Sequence, residues 1–225
     1  MKKIIAVGLL LIFGLCSSIH AQNKPFVFGF KIAPNTSWMK PDTKGYESNG
    51  AKTGFSWGLM AEFHLMENYK VNSGLNIITN GGTIRYNESV NGQTGELNRK
   101  YNLKYFQIPL TLKMKTNDFG NKAFYGLFGF GANFLLSAKA NDQFLPGNGQ
   151  VVTEKNDIKS DIKSSRISLI LGAGMEYELG GAKMVTGINF DNGIIDILKG
   201  QNLADPNLQH KSINNFLEIY IGILF

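Results

Sequence analysis

The final ten residues of the chain, 216–225, follow a strict two-residue alternation. Every second position is apolar, namely Leu217, Ile219, Ile221, Ile223 and Phe225. Side chains alternate between the two faces of a strand, so these five form one continuous apolar face. Termini of soluble proteins usually fray into water, whereas the closing strand of a transmembrane β-barrel pairs along both edges and faces lipid. The segment therefore predicts a membrane barrel.

The amino-terminus carries an export pattern. Two lysines precede an apolar run over residues 4–15, which is too short to span a bilayer, and Ala21 supplies a small residue for cleavage. We expect a signal peptide over residues 1–21, cleaved after Ala21, and an outer-membrane β-barrel domain over residues 22–225. Cleavage would remove Cys16 and leave no cysteine for a disulfide framework.

The chain's charge and composition argue against several classes of partner. The formal net charge is +6, and loss of the two leading lysines would leave +4. This mild basicity has no dense stripe of lysine and arginine with interleaved aromatics, so we expect no nucleic-acid partner. The acidic residues of the loops lack the spacing of a calcium loop, so we expect no metal and no cofactor.

Eight alternating segments can be read along the chain. They are residues 26–33, 54–65, 69–80, 101–115, 123–137, 166–179, 183–192 and 213–225. The connections between them alternate in length. The longer, polar ones are residues 34–53, 87–100, 138–165 and 193–212. Short turns at one end and long polar loops at the other are typical of outer-membrane barrels. The pattern predicts an all-β, eight-stranded antiparallel up-and-down transmembrane β-barrel.

The alternation alone leaves open which face is inside. A soluble lipocalin-like carrier would bury the apolar face, whereas a membrane barrel buries the polar one. Aromatic residues near segment ends favour the membrane barrel, namely Trp57, Tyr69, Tyr101 and Phe225. In that orientation we predict an ion-pair network that plugs the lumen. Its members are Lys31, Glu62, Lys70, Lys104, Glu176, Asp191 and Glu218.

Two details of the same strands carry further expectations. We assign Lys113, Lys115 and Glu178 to the solvated rim at the short-turn end of the barrel. Pro109 lies inside an apparent strand, where it removes a ladder donor, so we expect a β-bulge near it.

Three segments carry a resemblance to a known family. Residues 105–113 (YFQIPLTLK) resemble the aromatic-apolar-x-Ile-Pro-Leu-x-Leu-Lys strand of PorT-like outer-membrane β-barrel proteins of the Bacteroidetes. Residues 29–35 and 171–176 are similar to other strands of that family, although Gln107 stands where an acidic residue is common. The resemblance implies an eight-stranded barrel in the bacterial outer membrane and implies little about activity. The closing strand, Leu217 to Phe225, also resembles the signal that barrel-assembly machinery recognises.

The sequence favours a non-enzymatic role. His64 lies near the end of the second segment, next to a short turn, where we predict that it packs in the lumen. His210 lies in the last long loop, where we predict that it is solvated. We expect a structural or surface-interaction barrel with a filled lumen and outer-membrane lipids around it. The alternative is an accessory subunit of a secretion or transport machine, with envelope or secretion-complex proteins as partners. A lipid-modifying enzyme ranks third.

Overall fold

The computed structural model describes residues 26–147 and 149–225, so the expected signal peptide and its cleavage site lie outside it. Ten strands and one short 3-10 helix, Lys159–Asp161, occur in these residues. The strands are β1 (Phe26–Pro41), β2 (Glu47–Ser48), β3 (Lys52–Met66), β4 (Tyr69–Val90), β5 (Gln93–Lys115), β6 (Lys122–Pro146), β7 (Val152–Asp157), β8 (Ser165–Glu178), β9 (Lys183–Gly193) and β10 (Ser212–Leu224). Over the same residues, no helix is both long enough and apolar enough to cross a membrane.

Eight of the strands form a closed ring. Each pairs antiparallel with its neighbour in the order β1, β3, β4, β5, β6, β8, β9, β10, and β10 pairs back to β1. Closure leaves no unpaired edge in the spanning part, which a membrane requires because lipid offers no hydrogen bonds. The predicted eight-stranded up-and-down barrel is confirmed.

The burial of β1 shows which face meets the lipid. Phe28, Phe30 and Ile32 are each more than half exposed, whereas the alternate residues Lys31 and Ala33 are buried. The apolar residues of the ring therefore point outward as a belt and the polar residues point into the lumen. This is the arrangement of a membrane barrel, and it is the reverse of a lipocalin-like carrier.

Three strands are far longer than a membrane requires. β4, β5 and β6 have 22, 23 and 25 residues, whereas about 9–11 tilted residues span a bilayer. The predicted long loops over 87–100 and 138–165 are wrong in large part. The first is a hairpin that turns at Asn91-Gly92, where both φ angles are positive, as a type I′ turn requires. In the second, β6 continues to Pro146 and β7 returns along it.

These extensions build a second structural region, which we call the cap. It comprises residues 42–51, 80–103, 138–147, 149–164 and 194–211. Apolar side chains fill its interior, including Ile84, Leu97, Leu103, Phe144 and Ile197. Tyr101, expected in the aromatic girdle, is also buried there at 2% exposure. The cap therefore buries apolar residues inside, as a water-soluble sheet does.

A bulge lies where the lumen meets the cap. Lys104 pairs with Ser137 but Tyr105 pairs with Leu135, so Leu136 is an extra residue in β6. The bulge changes which alternate residues of β6 point inward. The bulge expected at Pro109 is wrong, because the pairing of β5 with β6 continues there without a shift, Pro109 facing Gly131.

Candidate functional site

The lumen holds a compact cluster of charges at the short-turn end. The ammonium of Lys113 lies between two carboxylates, 2.5 Å from Glu62 and in contact with Glu176. Lys70 lies 3.0 Å from Glu62 and 3.5 Å from Glu176. All four side chains are at most 3% exposed. The assignment of Lys113 to the solvated rim is wrong, because its side chain points inward next to Glu62.

A second ion pair lies in the middle of the lumen. Lys31 on β1 donates to Glu218 on β10 at 2.6 Å, and both side chains are less than a tenth exposed. Ser56 donates to the other carboxylate oxygen at 2.6 Å, and Asn189 donates at 3.0 Å. Donors from three strands, β1, β3 and β9, thus satisfy one carboxylate, as a buried charge requires.

A third pair lies towards the cap and includes a residue that sequence reasoning missed. Arg166, which is fully buried, contacts Asp191 on β9. Gln107 and Ser168 each donate to the other oxygen of Asp191 at 2.9 Å. Arg166 is the first residue of the predicted sixth segment, but it was not included in the predicted ion-pair network. Its parity with Ser168, which points into the lumen, was the available signal.

The three groups balance one another. Four cations and four anions alternate through the lumen, and they are Lys31, Lys70, Lys113, Arg166, Glu62, Glu176, Glu218 and Asp191. A hydrogen-bonded tyrosine pair, Tyr125 and Tyr220, joins the first two groups at 2.5 Å between the hydroxyls. Charged side chains in a low-dielectric interior need such partners, since an unpaired buried charge is strongly destabilising.

Two glycines make room for the tyrosine pair. A Cβ at Gly174 would lie 2.5 Å from the Tyr125 hydroxyl, and one at Gly187 would lie 2.9 Å from the Tyr220 hydroxyl. The cavity that remains between the middle and upper pairs measures about 60 Å³. It therefore holds a few water molecules at most.

Not all the predicted lumen residues are inside. Lys104 faces outward and is exposed, because it shares the parity of Phe106 on the outer face of β5. Lys115 and Glu178 lie at the short-turn end, where Lys115 pairs with Asp118 at 2.7 Å. Glu178 pairs with Lys183 at 2.8 Å.

The cap contains a polar cluster around His210. The Tyr46 hydroxyl accepts from Asn202 at 2.7 Å and lies 2.9 Å from His210 Nδ1. A neutral His210 that carries its proton on Nε2 accepts from this hydroxyl at Nδ1, and its Nε2 then faces Glu88 at 3.6 Å. The His210 ring also lies edge-on to Tyr46 and Tyr86, which stack 4.3 Å apart.

This cluster ties the last loop to the rest of the cap. Glu88 accepts from the backbone N–H of Leu203 at 2.7 Å. Burial lowers the pKa of His210 below 6.5, and Glu88 only partly opposes it. Burial raises the pKa of Tyr46 to about 12. The expectation of a solvated His210 is wrong, because its side chain is only 15% exposed.

An open cleft lies beside the His210 cluster. It has a volume of about 660 Å³, and its walls come from β4, β5 and the segments around residues 160–162 and 198–203. Arg99 on its floor donates twice to Asp142, at 2.8 and 2.7 Å. The polar groups of the cleft mostly satisfy one another, so it contributes rigidity to the cap.

The other histidine lies at the opposite end of the barrel. His64 pairs in register with Lys70 next to the turn between β3 and β4, and it is partly exposed. It is therefore far in sequence and in the barrel from His210. In the residues that the structure describes, no group of three or more histidine, cysteine or acidic side chains could hold a metal ion.

The residues of the proposed assembly signal lie on the outer face of the closing strand. Leu217, Ile219 and Ile221 are 42%, 57% and 48% exposed, and Ile223 is partly exposed. Phe225 is exposed and packs 6.3 Å from the ring of Phe28 on β1.

The closed ring, the outward apolar belt and the charged lumen define a membrane-spanning β-barrel. The chain belongs to the family described as the outer membrane protein beta-barrel domain, whose model matches residues 20–199. Its place is therefore the bacterial outer membrane, with the apolar belt in lipid. No curated protein matches the sequence.

Several solved structures are similar in fold. Neisserial surface protein A is 12% identical with a TM-score of 0.48, and the match covers 89% of this chain and 96% of that one. OprG from Pseudomonas aeruginosa is 14% identical with a TM-score of 0.47, covering 89% and 95%. Ail of Yersinia pestis, in complex with the heparin analogue sucrose octasulfate, is 17% identical with a TM-score of 0.42, covering 90% and 100%.

Proposed function

We propose that this protein is a closed, non-conducting outer-membrane barrel whose role is structural or one of surface interaction, and that it presents the cap outside the cell. Barrels of this class place short turns in the periplasm and long loops outside. In that orientation the cap faces the medium. The proposal includes neither an enzymatic activity nor a cofactor.

The filled lumen is the observation that carries this proposal. Three balanced ion-pair groups cross the barrel in succession, and the cavity between the middle and upper groups measures about 60 Å³. Above them, the apolar core of the cap closes the long-loop end. A solute crossing the barrel would have to separate buried ion pairs, which is strongly unfavourable.

Planar-bilayer recording tests the closed lumen. We expect no steady single-channel current from the purified barrel. Replacing Lys113, Glu62 and Glu176 together by alanine empties the lower lumen, but the Lys31–Glu218 pair and the cap remain, so we still expect no current. A large, steady conductance in the unmodified protein would show that the lumen is open and the proposal wrong.

An accessory role in a secretion or transport machine is the second candidate. Its support is an exposed apolar tip on the β6–β7 hairpin, where Leu145, Val151 and Val152 are 45%, 61% and 56% exposed. Within the residues that the structure describes, β7 pairs with β6 alone, so its outer edge presents backbone groups to which another chain could pair. A stable stoichiometric complex recovered from gently solubilised membranes, and lost with Val151→Ser and Val152→Ser, would favour this candidate over a solitary barrel.

We further propose cleavage after Ala21, a mature barrel over residues 22–225, and membership of the PorT-like group of the Bacteroidetes. We also propose that Leu217, Ile219, Ile221, Ile223 and Phe225 are read by barrel-assembly machinery during insertion. Amino-terminal sequencing of the mature protein tests the first point. Deletion of Phe225 alone should lower the yield of folded protein in membranes. The free energy of unfolding of the protein that does fold should change much less.

A further inference from the structure

Three exposed lysines lie together on the outer face of the barrel, just beyond the apolar belt. Lys100 and Lys104 are four residues apart on β5 and share its outward face. Lys139 on β6 pairs with Asn102, which lies midway between them, and it also faces outward. Diagonal neighbours on one face of an antiparallel pair lie about 7–8 Å apart. We call Lys100, Lys104 and Lys139 the basic patch.

The patch lies at the level where the apolar belt ends. Phe106 follows Lys104 on the same face of β5, one step nearer the membrane, and Ile108 continues the belt. On β6, Phe134 and Leu136 are 46% and 43% exposed immediately below the patch. Two residues along a strand rise about 7 Å, so Lys104 lies about 7 Å beyond Phe106 at the edge of the belt. The flexible lysine side chain can therefore place its ammonium at the level of the lipid headgroups.

The charges of the patch have no internal partner. Among the residues that the structure describes, no carboxylate lies within 4.0 Å of the three ammonium groups. Asp157 is opposite Lys139 in register, but it accepts the backbone N–H of Lys159 at 3.0 Å. The neighbouring outward positions Thr83 and Asn141 are neutral. This face therefore differs from the lumen, where every charge is balanced.

We propose that the basic patch binds the phosphate groups of an anionic lipid in the leaflet at the long-loop end of the barrel. In this arrangement a phosphate headgroup lies among the three lysine side chains while its acyl chains lie along Phe106, Ile108 and Phe134. Lysine binds phosphate as a flexible point charge, and each basic residue near an anionic surface contributes favourably. This site goes beyond the closed-lumen proposal and holds whether or not the lumen conducts.

Native mass spectrometry of the detergent-solubilised, full-length folded protein tests the site. The probes are diphosphorylated lipid A and the same lipid with both phosphates removed. We expect the phosphorylated lipid to bind the unmodified protein more tightly. Replacing Lys100, Lys104 and Lys139 by glutamine should weaken its binding about fivefold per lysine, roughly a hundredfold in total at low salt. Added salt should reduce the difference.

A matched variant distinguishes binding at the basic patch from a general effect of lowering the positive charge of the protein. Lys44, Lys199 and Lys211 are exposed lysines at the cap end that lie on segments other than β5, β6 and β7, so changing these three to glutamine removes the same charge and should leave binding nearly unchanged. Arginine at the three patch positions should retain binding. Equal affinity for both lipids, or an equal loss in the two glutamine triples, would overturn the proposal. A heat-modifiability gel verifies that each variant is folded.

Discussion

On β5, the outward and inward faces exchange their chemistry between the membrane and the cap. In the membrane-spanning half, Ile108 and Leu110 point outward and Gln107 points into the lumen. In the cap, Leu97 and Leu103 point inward, whereas Lys100 faces the surroundings. One continuous strand is therefore apolar outside at one end and apolar inside at the other.

The surrounding solvent accounts for the difference. Lipid tails are as apolar as the side chains of the belt, so burying such a side chain in the lumen gains no hydrophobic free energy. The small lumen can then be filled by paired charges. In water, the same side chain is stabilised by burial against other apolar groups. The cap is thus held together by the hydrophobic effect, and the lumen by hydrogen bonds and ion pairs. The following substitutions test this contrast, from the largest expected effect to the smallest.

The lumen should be most sensitive to the loss of one charge. Lys113→Met leaves Glu62 and Glu176 with only Lys70 as a partner, so we expect a loss of about 3–5 kcal/mol in the free energy of unfolding. Urea unfolding in lipid vesicles measures it. Arg85→Met is the matched change in the cap, where the pair with Glu47 is exposed and screened by water, so we expect a much smaller loss. Equal losses in both variants would contradict a charge-stabilised lumen.

The cap should be most sensitive to the loss of apolar volume. Leu103 is fully buried, so Leu103→Ala should destabilise the cap by about 2–5 kcal/mol through the cavity that it leaves. Hydrogen exchange of the β4–β5 hairpin measures this locally. Leu110→Ala removes the same atoms from a side chain that is 61% exposed to the membrane side, and lipid can fill the space. A larger effect at Leu110 than at Leu103 would reverse the proposed contrast.

A charge placed on the belt tests where the lipid lies. Ile219 is 57% exposed on the outer face of β10, and Ile219→Arg should cost about 2–4 kcal/mol if it faces the middle of the bilayer. Unfolding in vesicles is again the measurement. Thr94 is exposed near the tip of the β4–β5 hairpin in the cap, and we expect Thr94→Arg to change the stability by no more than about 0.5 kcal/mol. Unchanged stability in Ile219→Arg would mean that this face is not in lipid.

The smallest expected effect is a pH dependence confined to the cap. Burial holds the pKa of His210 below its unfolded value of 6.5, so the unfolded loop takes up a proton first. The stability that neutral His210 gives is full above pH 6.5 and is lost as the pH falls through that value towards the folded pKa. We expect faster hydrogen exchange of residues 194–211 at about pH 5.5 than at about pH 7.5, beyond the intrinsic rate change.

A glutamine at His210 is the control, because it cannot titrate in this range. In His210→Gln the exchange of the last loop should lose its excess pH dependence, while exchange in β8 and β9 stays as it was. An unchanged pH dependence in this variant would assign the effect to another group.

The sequence was most informative in the membrane-spanning half, where one alternation runs from end to end. It predicted the eight strands, the inward positions of Glu62, Asp191 and Glu218, and the outward face of β10. It was weaker where the alternation reverses. Residues 87–100 continue the two strands into the cap, but their alternation is interrupted by polar residues, so they were predicted to form a loop. The Asn91-Gly92 pair was a hairpin signal within that segment.

The partners of each charge were beyond the reach of the sequence. Lys113 was assigned to the rim because it lies near the end of a strand, but stagger between β4, β5 and β8 brings it beside Glu62 and Glu176. His210 was assigned to solvent because its loop is polar, but that loop folds back onto Tyr46 and Tyr86. In both cases contact depends on segments distant in the chain.

The amino-acid sequence by itself determined that the chain forms strands with one apolar face and that they close into a barrel in a membrane, because a two-residue period is a local property of each segment. Only the tertiary structure decided the register between strands, the bulge at Leu136 and the boundary between belt and cap. Those features depend on which strand lies beside which. The pairing of four cations with four anions in the lumen follows from that arrangement.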